Sequence, residues 1–271
     1  MLLINQCTQC MVLLNSPYCK IILNEPLRLA NWWANIPSIS FSIVALYITA
    51  LNLLSDISST SIAPILSAHE LRCVRGERCL FDGVGFSLSA GQCLHLLGSN
   101  GSGKTSLLRI IAGINRPQSG DVQWRASSIF DDPANRLKYF SAVAYLGHKD
   151  GLKDELTATE NLSFYRRLEN ASNQTLIDQD LARMGILEHA EISANKLSFG
   201  QRRRLAFARL LHADFRLWIL DEPFTGVDIQ GRTLIEQICN QHLASGGIII
   251  LTNHQSLATS LFAQHIKQLR L

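Results

Sequence analysis

Hydrophobic positions along the chain fall into two regimes that meet near Ser67. Downstream of that point, short unbroken apolar runs alternate with longer stretches in which apolar residues recur every three or four positions. The runs are 93–97 (CLHLL), 215–220 (FRLWIL) and 247–251 (GIIIL). Runs of this kind read as strands buried on both faces, as in a parallel sheet. Residues 106–112 (SLLRIIA) have helical spacing and are closed by Gly113. Thr157-Ala-Thr-Glu160 has the form of a capping box, in which each side chain satisfies the other residue's backbone N–H. It opens a helix predicted to run through Leu168, and residues 174–184 make another, stopped by Gly185. Strands alternating with helices predict an α/β fold. One lobe takes residues 68–151 and 214–271, and a helical lobe at about 152–213 lies between them.

The first 67 residues follow a different pattern. No charge occurs between Arg28 and Asp56, and residues 36–54 are long enough to cross a bilayer. Ser38, Ser40, Ser42, Thr49 and Asn52 dilute that span, Pro37 lies near its start, and a Ser-rich linker follows. Three readings compete: a membrane anchor, a signal peptide, or an extension created by a gene start placed too early. The apolar stretch begins too far from Met1 for a signal peptide. The misplaced start is the preferred reading.

Two motifs carry chemistry. Gly98-Ser99-Asn100-Gly101-Ser102-Gly103-Lys104-Thr105 matches G-x-x-x-x-G-K-[ST] and sits between an apolar strand and a helix, the order that a phosphate loop requires. Its glycines let backbone N–H groups turn inward around a polyphosphate, and the helix N-terminus adds a dipole that favours anions. Lys104 is expected to reach the β and γ phosphates, and Thr105 to ligate Mg²⁺. The run at 215–220 ends in Asp221-Glu222-Pro223. Carboxylates at a strand's carboxyl end stand where α/β folds bind ligands. Asp221 is expected on the metal, and Glu222 on the attacking water. ATP and Mg²⁺ are the implied substrate and cofactor.

A net charge of +3 without a basic stripe gives no argument for nucleic acid as a partner. The seven cysteines form no disulfide framework, and Cys7 and Cys10 are a lone CxxC without a second pair. Scattered thiols fit a reducing compartment.

Leu197-Ser198-Phe199-Gly200-Gln201 resembles the signature of ABC ATPases, with Phe199 replacing its first glycine. Ser198 is a good N-cap for the helix that follows. In that helix Leu205, Phe207, Ala208 and Leu211 are expected to face inward and Arg202, Arg203 and Arg209 outward, so that most of the basic run is a solvated face. The resemblance implies a P-loop NTPase of ABC type, a RecA-like lobe with a parallel-sheet core plus a helical signature lobe. It also implies a head-to-tail pair of cassettes. Ser198, Gly200, Gln201 and Asp228 would then act in trans on the partner's nucleotide. His254 matches the switch histidine that contacts the γ-phosphate.

Two positions depart from the common ABC pattern. His148 stands where a glutamine usually touches Mg²⁺, and Arg75 stands where an aromatic usually stacks on adenine. An imidazole titrates near neutral pH. The expectation is therefore a hydrolysis rate more pH-sensitive below about pH 7, checked by comparing pH–rate profiles of wild type and His148→Gln.

Several segments narrow the resemblance to the CcmA family, ATP-binding proteins of cytochrome c maturation. They are 107–113 (LLRIIAG), 120–124 (GDVQW), 145–153 (YLGHKDGLK), 156–162 (LTATENL), 217–225 (LWILDEPFT) and Asn253-His254-Gln255. In that family the His148 loop is the usual form. The match covers residues 68–271, and the family begins near Leu66. Membership implies a peripheral protein on the cytoplasmic face of the bacterial inner membrane. Its integral partners would be CcmB and CcmC, and its output haem export or release of a haem-loaded chaperone. The competing reading is an ABC ATPase for another cargo, a lipid or a drug.

Overall fold

The computed structural model describes residues 64–168, 174–211, 214–253 and 256–271. The Cys7/Cys10 pair, the apolar span at 36–54 and His254 lie outside the described residues.

Two sheets organise the cassette. The first is antiparallel and has the order β2-β1-β4-β5, from β1 (Leu66–Arg75), β2 (Arg78–Leu88), β4 (Ser119–Trp124) and β5 (Ser127–Ser128). The sequence reading placed all of this in a single parallel-sheet lobe and did not anticipate the antiparallel sheet. Strand β1 begins at Leu66, which is fully buried. The second sheet is parallel and has the order β6-β7-β8-β3-β9, from β6 (Val143–Leu146), β7 (Leu217–Leu220), β8 (Ile248–Thr252), β3 (Cys93–Leu97) and β9 (Ile266–Arg270).

The continuous apolar runs have their expected cause. Leu217, Ile219, Ile248 and Ile250 join the core on one face of the parallel sheet, while Trp218, Leu220, Ile249 and Leu251 join the core on the other. Successive side chains alternate faces, so a strand covered on both sides must be apolar throughout. Helix α1 (Lys104–Ile111) covers the first face through Leu107, Leu108, Ile110 and Ile111. The helical lobe and helix α6 (Ile229–Ala244) cover the second.

The helical lobe comprises α3 (Ala158–Leu168), α4 (Gln174–Arg183) and α5 (Phe199–Ala208). The predicted capping box opens α3: Thr157 N donates to Glu160 Oε2 at 2.8 Å, and Glu160 N donates to Thr157 Oγ1 at 3.1 Å. Arg166 of α3 and Asp180 of α4 form a buried ion pair at 2.6 Å, and Arg166 also donates to the Leu211 carbonyl. Helix α2 (Pro133–Ala142) packs under the antiparallel sheet through Tyr139. No helix among the described residues is long and apolar enough to cross a membrane.

Candidate active site

Strand order fixes the location of the site. Strand β3 lies between β8 and β9, and β7 is the neighbour of β8, so the carboxyl ends of β3, β8 and β7 open side by side. That is the crevice in which open α/β sheets bind ligands.

The 98–105 loop leaves β3 and enters α1. Lys104, almost fully buried, turns back into the loop and donates from Nζ to Gly98 O at 2.8 Å and Ser99 O at 2.9 Å. The helix starts after Gly103, which has φ +102° and no side-chain cap, and no carboxylate occupies the first turn. Its first N–H groups therefore keep their capacity for an anion. A Cβ at Gly98 would meet Ser102 Oγ at 2.5 Å, and one at Gly103 would meet the Phe81 ring at 3.0 Å. Ser102 Oγ is buried and has no hydrogen-bond partner, so a polar group aims into a cradle that any side chain would fill.

Opposite the loop, Asp221 is buried and accepts from Thr105 Oγ1 at 3.0 Å and from Thr252 Oγ1 at 2.7 Å. Thr252 Oγ1 in turn accepts from Glu222 N at 2.9 Å. This network ties α1, β7 and β8 together at their ends. Glu222 has φ +51°, a left-handed backbone uncommon outside glycine, and its Oε2 accepts from Thr225 Oγ1 at 3.2 Å. Nearby burial, reinforced by Asp221, pushes the Tyr145 hydroxyl pKa up.

The signature opens α5 as a complete capping box. Ser198 Oγ accepts from Gln201 N at 3.2 Å, and Gln201 Oε1 accepts from Ser198 N at 2.8 Å. Helix geometry leaves Phe199 N and Gly200 N without an intrahelical partner. The Phe199 ring, half exposed, occupies the space a side chain on Gly226 would need. Asp228 caps α6 of its own chain, accepting from Gly231 N at 2.8 Å.

The ABC transporter family profile matches residues 81–225. The cytochrome c biogenesis ATP-binding export protein CcmA of Aliivibrio fischeri is 42% identical, over 76% of this chain and 99% of that protein. CcmA of Escherichia coli strain K12 is 45% identical, over 71% and 90%. The chain belongs to the CcmA family of ABC transporter ATP-binding proteins. Among solved structures, CbiO1 of Clostridium perfringens, part of the ABC transporter complex CbiONQ, aligns with TM-score 0.59 and 26% identity over 71% of this chain and 79% of its own. A putative ABC transporter ATP-binding protein from Pyrococcus furiosus, at 20% identity over 76% and 96%, shares the fold with TM-score 0.64.

ATP is thus the nucleotide of this CcmA-family cassette, and its hydrolysis the activity. A divalent cation beside ATP would meet hard oxygen donors from Thr105 and Asp221, the ligand type Mg²⁺ selects. No cluster of three metal-ligating side chains exists among the described residues. Mg²⁺ at a nucleotide needs none, because one or two protein oxygens and the phosphates suffice.

Two more of the expected site residues, His148 and Arg75, are exposed. His148 is exposed on the loop after β6. Arg75 is exposed at the end of β1, opposite Arg78. Phe81 lies against the glycine loop, and Thr252 is a network member; neither was among the expected site residues.

The expected solvated arginine face is wrong. Arg203 is buried, and Arg202, Arg204 and Arg209 are partly covered. Arg202 pairs with Asp150 at 2.8 Å and Asp154 at 2.7 Å, which raises its pKa. Arg204 donates to Gly185 O at 3.2 Å, and Arg209 donates to Asp150 O at 2.9 Å while lying 3.5 Å over the Tyr165 ring. Spacing held the clue for Arg203: it shares a helix face with Ala206, Phe207 and Leu210, all buried.

Proposed function

We propose that this cassette powers an ABC transporter of c-type cytochrome biogenesis, coupling ATP hydrolysis to haem export or to release of a haem-loaded chaperone. The observation that supports it is the hydrogen-bonded set Thr105–Asp221–Thr252–Glu222 facing the phosphate loop, in a chain 42% identical over nearly the full length of a CcmA relative. Lys104 and the loop N–H groups hold the phosphates. Thr105 and Asp221 would hold Mg²⁺, which when bound neutralises charge on the phosphates. Glu222 orients the attacking water and His254 steadies the γ-phosphate. His148 and Arg75 flank the nucleotide in this reading.

Two cassettes pair head to tail in the complex. Ser198, Gly200, Gln201 and Asp228 of each then reach the nucleotide held by the other. Integral partners are CcmB and CcmC, and the cassette sits peripherally on the cytoplasmic face of the inner membrane. Two measurements test this. Purification from membranes followed by mass spectrometry should recover a CcmB-type integral subunit. Glu222→Gln should keep ATP binding and lose about 10²- to 10⁴-fold in turnover. Turnover within threefold of wild type removes the role given to Glu222.

A further inference from the structure

Arg203 is the most heavily engaged buried cation near the site, and ABC chemistry as described above does not use it. It sits in the second turn of α5, 4% exposed. Its Nη2 donates to Asp221 O at 2.7 Å and Glu222 O at 3.1 Å. Nη1 donates to Gly147 O at 2.9 Å, and Nε to Pro223 O at 3.3 Å. Four of the five N–H bonds of the guanidinium are thus spent on main-chain carbonyls. Three of those carbonyls are consecutive and span Glu222, and the fourth precedes His148.

Such an arrangement fits a backbone that needs holding. Glu222 has φ +51°, which costs a non-glycine residue about 1–2 kcal/mol unless its surroundings enforce it. The Thr252 hydroxyl accepts from its N–H at 2.9 Å, and its carbonyl also accepts from Thr225 N at 3.3 Å, so a hydroxyl, a turn amide and the guanidinium together hold the peptide units on both sides. Asp221, Asp150 and Glu222 face the guanidinium and offset part of the cost of its burial. Lysine offers three donors from a single point and cannot span this set of carbonyls.

We propose that Arg203 is a positioning residue for the hydrolytic step: it holds the left-handed main chain of Glu222 and links it rigidly to the signature helix and to the Gly147–His148 loop. A displacement of α5 or of that loop is thereby transmitted to the carboxylate that orients water, without altering the phosphate cradle. The inference rests on the role of Glu222 proposed above.

The test uses the full chain in its membrane complex, with Arg203→Gln and Arg203→Lys alone and combined with Glu222→Gln. Steady-state turnover, KM for ATP and direct ATP binding are measured. The expected result is at least a tenfold loss of kcat in Arg203→Gln, with KM and nucleotide Kd within threefold of wild type, and partial recovery in Arg203→Lys. In the Glu222→Gln background, Arg203→Gln should lower the residual rate by less than twofold, because the group it positions is already gone. A kcat within threefold of wild type overturns the proposal. So does a loss of ATP affinity in proportion to the loss of rate, an undiminished effect of Arg203→Gln in the Glu222→Gln background, or failure of both Arg203 variants to fold. An unimpaired Glu222→Gln single variant instead strikes at the role of Glu222.

Discussion

A left-handed glutamate at the end of β7 makes stability and activity pull in opposite directions, and the conflict can be measured. Glu222→Gln and Glu222→Asn both replace the carboxylate by an amide, so both lose the charge beside Asp221. They differ in main-chain preference: Asn enters the left-handed region several-fold more readily than a residue such as Gln, which corresponds to about 0.6–1 kcal/mol. The Thr225 hydroxyl bond to Glu222 Oε2, 3.2 Å, would be kept by Gln and lost by the shorter Asn. Making both variants on a Thr225→Ala background removes that difference. A folded unit of this size shifts its melting temperature by about 2–4 °C per kcal/mol. Glu222→Asn should therefore melt about 1–4 °C above Glu222→Gln in nucleotide-free thermal unfolding followed by circular dichroism. Turnover should stay about 10²- to 10⁴-fold below wild type in both. If the Asn variant melts at or below the Gln variant, the φ of +51° is not a strained conformation held by its surroundings, and the reasoning fails.

Two further outcomes follow from burial away from the site. Asp180→Asn leaves Arg166 buried opposite a neutral amide and should cost about 3–5 kcal/mol in urea unfolding, whereas Arg166→Met with Asp180→Leu should recover most of that. An equal cost for both would refute it. His242 stacks on Trp218 at 3.8 Å; burial, with a smaller contribution from Arg216, pushes its pKa down to about 4. Folding therefore favours the neutral ring. The associated stability is present above the ordinary pKa of about 6.5 and is lost as pH falls toward 4. Melting temperatures between those limits should fall less steeply in His242→Phe than in wild type, and superimposable profiles would exclude the effect.

What the sequence determined by itself was whatever is enforced locally. A glycine loop between strand and helix, the Thr157/Glu160 capping box, the Ser198 N-cap, and strands apolar on both faces are short-range demands of backbone conformation, hydrogen bonding and solvent exclusion. Each is visible in a few adjacent residues. Tertiary structure alone decided which strands became neighbours, and hence that Thr105, Asp221 and Thr252 meet although they are far apart in the chain. It also decided that β1, β2, β4 and β5 pair into a separate antiparallel sheet while β3, which lies between them in the chain, joins the parallel one, because pairing partners are not encoded in the alternation of a single strand. The arginines of α5 make the same point at the level of single side chains. A charged residue reads as solvent-facing until the carbonyls that can satisfy it are known, and those of Gly147, Asp221, Glu222 and Pro223 reach Arg203 only once β6 and β7 lie side by side.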